Sequence, residues 1–243
     1  MRKNTNLAVI IPCFNEAANV GYFRRELAEF IELLQASHPG LKVKFTVVNN
    51  NSNDGSREEL IKLQNEFAGH LQLIDCPVQG YGAALKSGFS AAGEVDFIGF
   101  CDFDNTYPLK SFPDLLQELN SSEADMVYGA RLHSASEIDR VRHFGNQIYV
   151  SLLKILTHSK LSDACSGMRV FKSVRLPEVL ALRADDLSFS IELTATATVA
   201  NWKLTERPIL YRERVGRSKL SVVRDGLKFL FVLMRVRFNG FLS

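Results

Sequence analysis

Four short apolar runs, at residues 7–11, 43–48, 71–74 and 95–101, alternate with three segments of helical spacing. Apolar runs of this length, closed by Pro12, by an Asn-rich turn or by acidic residues, read as buried strands. Between the first two, Val20, Phe23, Leu27, Phe30, Ile31 and Leu34 recur at helical intervals within residues 17–37, and His38-Pro39-Gly40 stops the pattern. Residues 57–67 and 83–92 supply two further helices. A β-α-β-α-β-α-β series folds into a parallel sheet covered by helices on both faces. Such sheets bind ligands beyond the carboxyl ends of their strands, and each unusual motif of this half stands at such an end. The second half is less regular. The spacing predicts helices over 109–120, 146–156, 188–199 and 222–238, and strands over 124–129 and 203–211.

Composition narrows the class. With 243 residues, 46% apolar and 23% charged, the chain resembles an ordinary globular protein large enough for a sizeable core. The mean hydropathy of −0.02 excludes a disordered chain and a polytopic membrane protein. The net charge of +2 hides an asymmetry: residues 203–243 hold ten Lys/Arg against three acids, leaving 19 bases and 24 acids for residues 1–202. A basic end on an acidic body points to an anionic partner. Nucleic acid is not expected, because Phe229, Phe231, Phe238 and Phe241 are interleaved with Leu and Val rather than with polar residues. Cys13, Cys76, Cys101 and Cys165 are scattered, with no CxxC pair, and read as buried thiols in a reducing compartment. No secretory signal is expected at the N-terminus. The apolar run at 229–234, bounded by Lys228 and Arg235, falls far short of the roughly 20 residues needed to span a bilayer.

Several constellations carry chemistry. Asp102 and Asp104 flank Phe103 just past the fourth strand, and alternation puts both carboxylates on one side. Two hard oxygen donors there suit Mg²⁺ or Mn²⁺ whose other positions go to phosphates. An isolated pair would read as a solvated turn; its strand-end position and an upstream glycine turn favour the metal. At the first strand end, Phe14 and Glu16 can flank a base and accept from ribose, or Asn15 and Glu16 can cap a helix. Asn49-Asn50-Asn51-Ser52-Asn53-Asp54-Gly55 offers amides for a base edge, or an ordinary turn. Gly80-Tyr81-Gly82 lets a backbone approach phosphate, with Lys86 within reach. Arg131, Arg140, Arg142, Arg214, Arg217 and Lys219 can grip phosphate oxygens.

Together, Pro12–Glu16, Asn49–Gly55, Gly80–Lys86, Asp102–Asp104, Ala124–Arg131, Asp163–Arg169 and Pro208–Leu220 resemble, in order, the motifs of family-two glycosyltransferases. The nearer likeness is to the branch that uses dolichyl or polyprenyl phosphate. The resemblance implies an α/β GT-A fold, Rossmann-like, with a mostly parallel sheet and C-terminal amphipathic interface helices. It implies a catalytic domain over 1–220, with a nucleotide-sugar half at 7–108 and an acceptor half at 109–220. Residues 221–243 would form a basic tail on a membrane surface. It puts Pro12, Phe14 and Glu16 on the nucleotide, Val48 and Asn50 by the base, and Lys86 near the donor. Asp102 and Asp104 serve the metal. Arg131, Arg142, Asn146, Arg214 and Lys219 gather at the acceptor phosphate, while Asp163 and residues 166–169 shape the loop that closes that side.

The expected activity is inverting transfer of a sugar from a nucleotide diphosphate to a polyprenyl phosphate, by a peripheral protein on the cytoplasmic side of a membrane. One rival is a hydroxyl acceptor, which needs a carboxylate base; Glu192 stands near the expected place but lacks the Asp that commonly follows. Another is a non-catalytic, nucleotide-binding docking subunit, against which the retained Asp102 and Asp104 argue. The chain departs from the resemblance with Asn49-Asn50-Asn51 for Asp-Asp-Gly, Phe14 for Tyr, and Cys165 for a polar residue. Asn50 has one acceptor oxygen, matching the single N3–H of uracil better than the paired donors of guanine. A UDP-sugar is therefore expected over GDP-mannose. The sequence carries no signal for an oligomeric state.

Overall fold

The computed structural model describes residues 5–131, 147, 149–151, 153–154, 161–212 and 222–239, the last with side chains at 228–236. Seven strands form one sheet in the order β3-β2-β1-β4-β6-β5-β7. They are β1 (Thr5–Cys13), β2 (Leu41–Asn49), β3 (Leu71–Asp75), β4 (Phe97–Phe100), β5 (Met126–Ala130), β6 (Arg169–Lys172) and β7 (Leu204–Pro208). Only β6 runs against the rest, antiparallel to both β4 and β5. The carboxyl ends of the other six therefore share one edge, and the segment entering β6 arrives at that same edge.

Every strand of the first half alternates between two cores. Leu7, Val9, Ile11 and Cys13 face one apolar cluster; Ala8 and Ile10 face the other. The first cluster is covered by α1 (Val20–Ser37), α2 (Ser56–Glu66) and α4 (Phe112–Ser121). The second lies under α3 (Tyr81–Ser90), α5 (Leu176–Leu180), α6 (Phe189–Val199) and α7 (Val222–Asn239). On α1 the buried positions Val20, Phe23, Leu27, Phe30 and Leu34 follow the 3-4 spacing that puts one face on the sheet.

Two elements were not anticipated: β6 and α5. The C-terminal helix is not a detached tail. Val232 and Leu233 are buried in the second cluster, Arg235 pairs with Glu192 at 2.6 Å, and Lys228 with Asp186 at 3.0 Å. Lys228 and Arg235, the basic residues that bound the apolar run, are thus tied to the body. Leu230, Phe231 and Met234 remain exposed, Phe231 by 70%. Of the helix expected over 146–156, the described apolar side chains Tyr149, Val150 and Leu153 point into the core. Among the described residues, no helix is long and apolar enough to cross a membrane.

Candidate active site

Register fixes the site. Pro12 pairs with Val48, Cys13 with Asn49 and Asn49 with Asp75, so the polar motifs after β1, β2 and β3 lie side by side. Side chains then lock them. Ser52 Oγ accepts from Asn15 N–H at 3.1 Å, Ser56 Oγ from Glu16 N–H at 2.8 Å, and Asp54 from Ala17 N–H at 3.0 Å. The N-terminus that leads into α1 is thus capped by the neighbouring loop rather than by Asn15 or Glu16. Burial pushes the Asp54 carboxyl up, but bonds from Ser56 and the Ala17 N–H outweigh it and hold it below the usual carboxylate range. Pro12, Phe14 and Glu16 stand half-buried along this edge.

Two of the expected base contacts are corrected. Val48 has no exposed surface; its side chain points into the second core beside Gly88. Asn50 is buried, and its amide is committed: Nδ2 donates to Val78 O at 2.7 Å, and Oδ1 accepts from Gly80 N–H at 2.8 Å. Asn50 therefore pins the 76–80 loop, and its preference for uracil loses its ground. Asn50→Asp would set a carboxylate against the Val78 carbonyl. It is expected to lower stability by about 1–3 kcal/mol and to weaken UDP and GDP alike, as thermal melting and nucleotide titration would read. A selective gain in GDP binding would restore the base-reading role.

The glycine turn also has a different partner. Gly80 sits at φ +150°, and a Cβ there would collide with the Asp185 carbonyl; one at Gly82 would come within 2.5 Å of Ala184 O. The glycines admit the protein's own 184–186 backbone rather than a phosphate, and Ala83 N–H donates to Asp185 O at 3.0 Å. Lys86 belongs to the same contact, donating to Leu182 O at 3.2 Å and pairing with Asp185. That contact engages its ammonium in this structure.

Asp102 and Asp104 follow β4 at the centre of the edge. Asp104 is buried, and its Oδ1 accepts from both the N–H and the hydroxyl of Thr106. Half-buried Asp102 accepts at Oδ1 from the Tyr81 hydroxyl at 2.9 Å. The loop entering β6 closes over it: a Cβ on Gly167 would lie 2.6 Å from Asp102 Oδ2. Gly167 N–H donates to the Tyr107 hydroxyl at 2.7 Å, and Tyr107 stacks edge-on against Tyr211.

Arg131, at the end of β5, lies over the Tyr211 ring with its guanidinium 5.3 Å from the centroid. It donates through Nε and Nη2 to both oxygens of Asp163 at 2.7 Å. Burial pushes the Asp163 carboxyl up, and the bonds and charge of Arg131 more than offset it, holding it below the usual carboxylate range. Arg169 is fully buried, donating to the carbonyls of Ala164, Ser166 and Ser190, and so ties the loop to α6. Arg142, Asn146, Arg214 and Lys219, together with Arg140 and Arg217, lie outside the described residues.

Residues 8–177 match Glycosyl transferase family 2. The chain belongs to this family. Among characterised relatives, this family 2 glycosyltransferase is 28% identical over 233 residues to the low-salt glycan biosynthesis hexosyltransferase Agl6 of Haloferax volcanii, covering 93% of this chain and 53% of the relative. The chain thus spans about half the length of that protein. It is 27% identical over 174 residues to a dolichyl-phosphate hexose transferase of the same organism, covering 71% of this chain and 74% of that one. Among solved structures, glucosyl-3-phosphoglycerate synthase of Mycobacterium tuberculosis, in complex with Mn²⁺, UDP and phosphoglyceric acid, superposes with a TM-score of 0.72 at 20% identity. That likeness covers 96% of this chain and 78% of the other. Mannosyltransferase PcManGT of Pyrobaculum calidifontis, in complex with GDP-Man and Mn²⁺, gives 0.63 at 18% identity, covering 98% and 65%. These likenesses establish the GT-A architecture. In this family 2 glycosyltransferase Tyr81, Tyr107, Gly167 and Tyr211 surround the Asp102 carboxylate and Arg131; the sequence assigned none of them a role beside these side chains, and Gly167 was expected only as part of the 166–169 loop. Their motifs were visible; their convergence depends on β6.

Proposed function

We propose that the chain transfers a sugar, with inversion, from a nucleoside-diphosphate sugar to a polyprenyl or dolichyl phosphate at the cytoplasmic face of a membrane. The observation that carries the acceptor choice is the commitment of Glu192. It is buried; Oε1 pairs with Arg235 and Oε2 accepts from Ala184 N–H at 2.7 Å. The carboxylate offered as base for a hydroxyl acceptor is therefore built into the fold. A phosphate monoester needs no such base, because it is ionised near pH 6. Its oxygen bonds to the anomeric carbon as the carbon–oxygen bond to the diphosphate breaks, the electron pair leaving with the nucleotide. The dolichyl-phosphate relative supports the same acceptor.

Asp102 and Asp104 fit a divalent ion: two hard oxygen donors, each oriented by a protein hydroxyl, with most of the shell left to phosphates and water. Mg²⁺ or Mn²⁺ held by these two carboxylates would neutralise charge on the departing diphosphate. The neighbours solved with Mn²⁺ and either UDP or GDP-Man support both the ion and the donor class. With Asn50 committed to its loop, competition between UDP and GDP decides the base. Pro12, Phe14 and Glu16 line the donor side. Arg131 frames the acceptor side, and Arg142, Asn146, Arg214 and Lys219 are assigned there by family resemblance. The exposed Leu230, Phe231 and Met234 of α7 supply an apolar face for the lipid surface.

The test is transfer on anionic vesicles carrying polyprenyl phosphate, with UDP- and GDP-sugars and Mn²⁺. Sugar is expected on the lipid phosphate, and Phe231→Ser is expected to reduce vesicle association and transfer while sparing nucleotide binding. Transfer to hydroxyl acceptors alone would overturn the acceptor. Unchanged vesicle binding by the variant would remove α7 from the membrane contact.

A further inference from the structure

Asp102 is held from two sides by residues that belong to neither the donor loops nor β4. From α3, the Tyr81 hydroxyl donates to Oδ1 at 2.9 Å. From the loop before β6, Gly167 presents bare Cα surface to the carboxylate, so close that a Cβ would meet Oδ2 at 2.6 Å and Oδ1 at 3.1 Å. Tyr81 is itself fixed. It opens α3 directly after Gly80, whose N–H is held by Asn50 Oδ1 at 2.8 Å, and the next turn is anchored by Ala83 N–H on Asp185 O. Gly167 is fixed in turn by its N–H on the Tyr107 hydroxyl at 2.7 Å.

We propose that Tyr81 is a positioning residue for the metal-binding carboxylate of Asp102, holding it in one orientation against Gly167. This rests on the reading of Asp102 as a metal ligand. A carboxylate free to rotate must be ordered when the ion binds; one already hydrogen-bonded and walled is ordered beforehand. Outer hydrogen bonds of this kind typically change metal affinity about 10–100-fold. Asn50 then acts at a distance, through Gly80 and Tyr81, rather than on the base.

The probe is Mn²⁺ alone, titrated against the full chain with free ion read by electron paramagnetic resonance. Tyr81→Phe keeps the ring and removes the donor. It is expected to weaken Mn²⁺ about tenfold, to raise the Mn²⁺ concentration for half-maximal transfer by the same factor, and to recover most of kcat at saturating ion. A purely structural role would lower kcat without that recovery. Gly167→Ala is the second arm and carries the test if Tyr81→Phe fails to fold. Its methyl meets the Asp102 carboxylate rather than backbone, so it displaces the carboxylate with Tyr81 intact and is expected to weaken Mn²⁺ as well. Asp102→Asn is expected to abolish binding. If Asp102→Asn abolishes binding while the Tyr81 and Gly167 variants bind normally, the positioning role is overturned. If Asp102→Asn also binds normally, the metal reading beneath it falls.

Discussion

Asp104→Asn is expected to lower sugar transfer at least 10²-fold, about 2.7 kcal/mol of transition-state stabilisation. Asn is the sharper replacement because it keeps an acceptor oxygen for the Thr106 N–H and hydroxyl, both of which Asp104 satisfies in a buried setting. Ala would orphan those donors and mix a stability loss of about 1–3 kcal/mol into the rate. The expected loss follows from charge. A neutral amide attracts the ion far less than a carboxylate, and the diphosphate then departs with its developing charge less well compensated. Asp102→Asn is expected to act in the same way, and a chelator to abolish transfer reversibly. The measurement is initial rate against Mn²⁺ concentration for each variant, with thermal melting beside it. Wild-type turnover in Asp104→Asn, or full activity in excess EDTA, would remove the metal from the reaction.

Much of this arrangement was legible in the chain because it depends on local pattern. The strands β1 to β4 are apolar runs closed by turn residues, and the helices between them carry one apolar face. The parallel sheet follows, and with it the common edge where Phe14, Asn50 and Asp102 gather. What escaped notice depends on contacts distant in sequence. Arg169 opens a strand only four residues long, and its charge argues for a surface; its burial is tolerated because carbonyls of Ala164, Ser166 and Ser190 converge on the guanidinium. Gly80 and Gly82 looked like a phosphate cradle because glycine reports only close approach, not what approaches. Here it is the 184–186 backbone, some hundred residues downstream. Arg235 and Lys228 read only as basic flanks of an apolar run because their partners, Glu192 on α6 and Asp186 in the loop before it, lie some forty residues upstream. In each case the residue type was informative and its partner was not.

The pair at the end of β5 sets the second large expectation. Arg131 and Asp163 have side chains only 12% and 2% exposed, joined by two bonds of 2.7 Å. Removing one member strands the other charge in a dry setting, so Arg131→Ala is expected to destabilise the fold by about 3–5 kcal/mol. For a chain of this size that is roughly 10 °C in melting temperature. The double replacement Arg131→Ala with Asp163→Ala is expected to recover part of the loss, since no unpaired charge remains buried. pH provides an independent check. The folded Asp163 carboxyl titrates below its unfolded value of about 3.9, so its contribution is complete above that value and disappears as pH falls through the lower, folded one. Acid unfolding of the wild type is therefore expected to steepen below the usual carboxylate range, and to steepen less in Asp163→Asn. If the single and double variants lose equal stability, the coupling is absent and Tyr211 packing, rather than charge, holds Arg131. If Arg131→Ala folds normally but fails only in transfer to the lipid phosphate, the guanidinium serves the acceptor directly and Asp163 merely orients it.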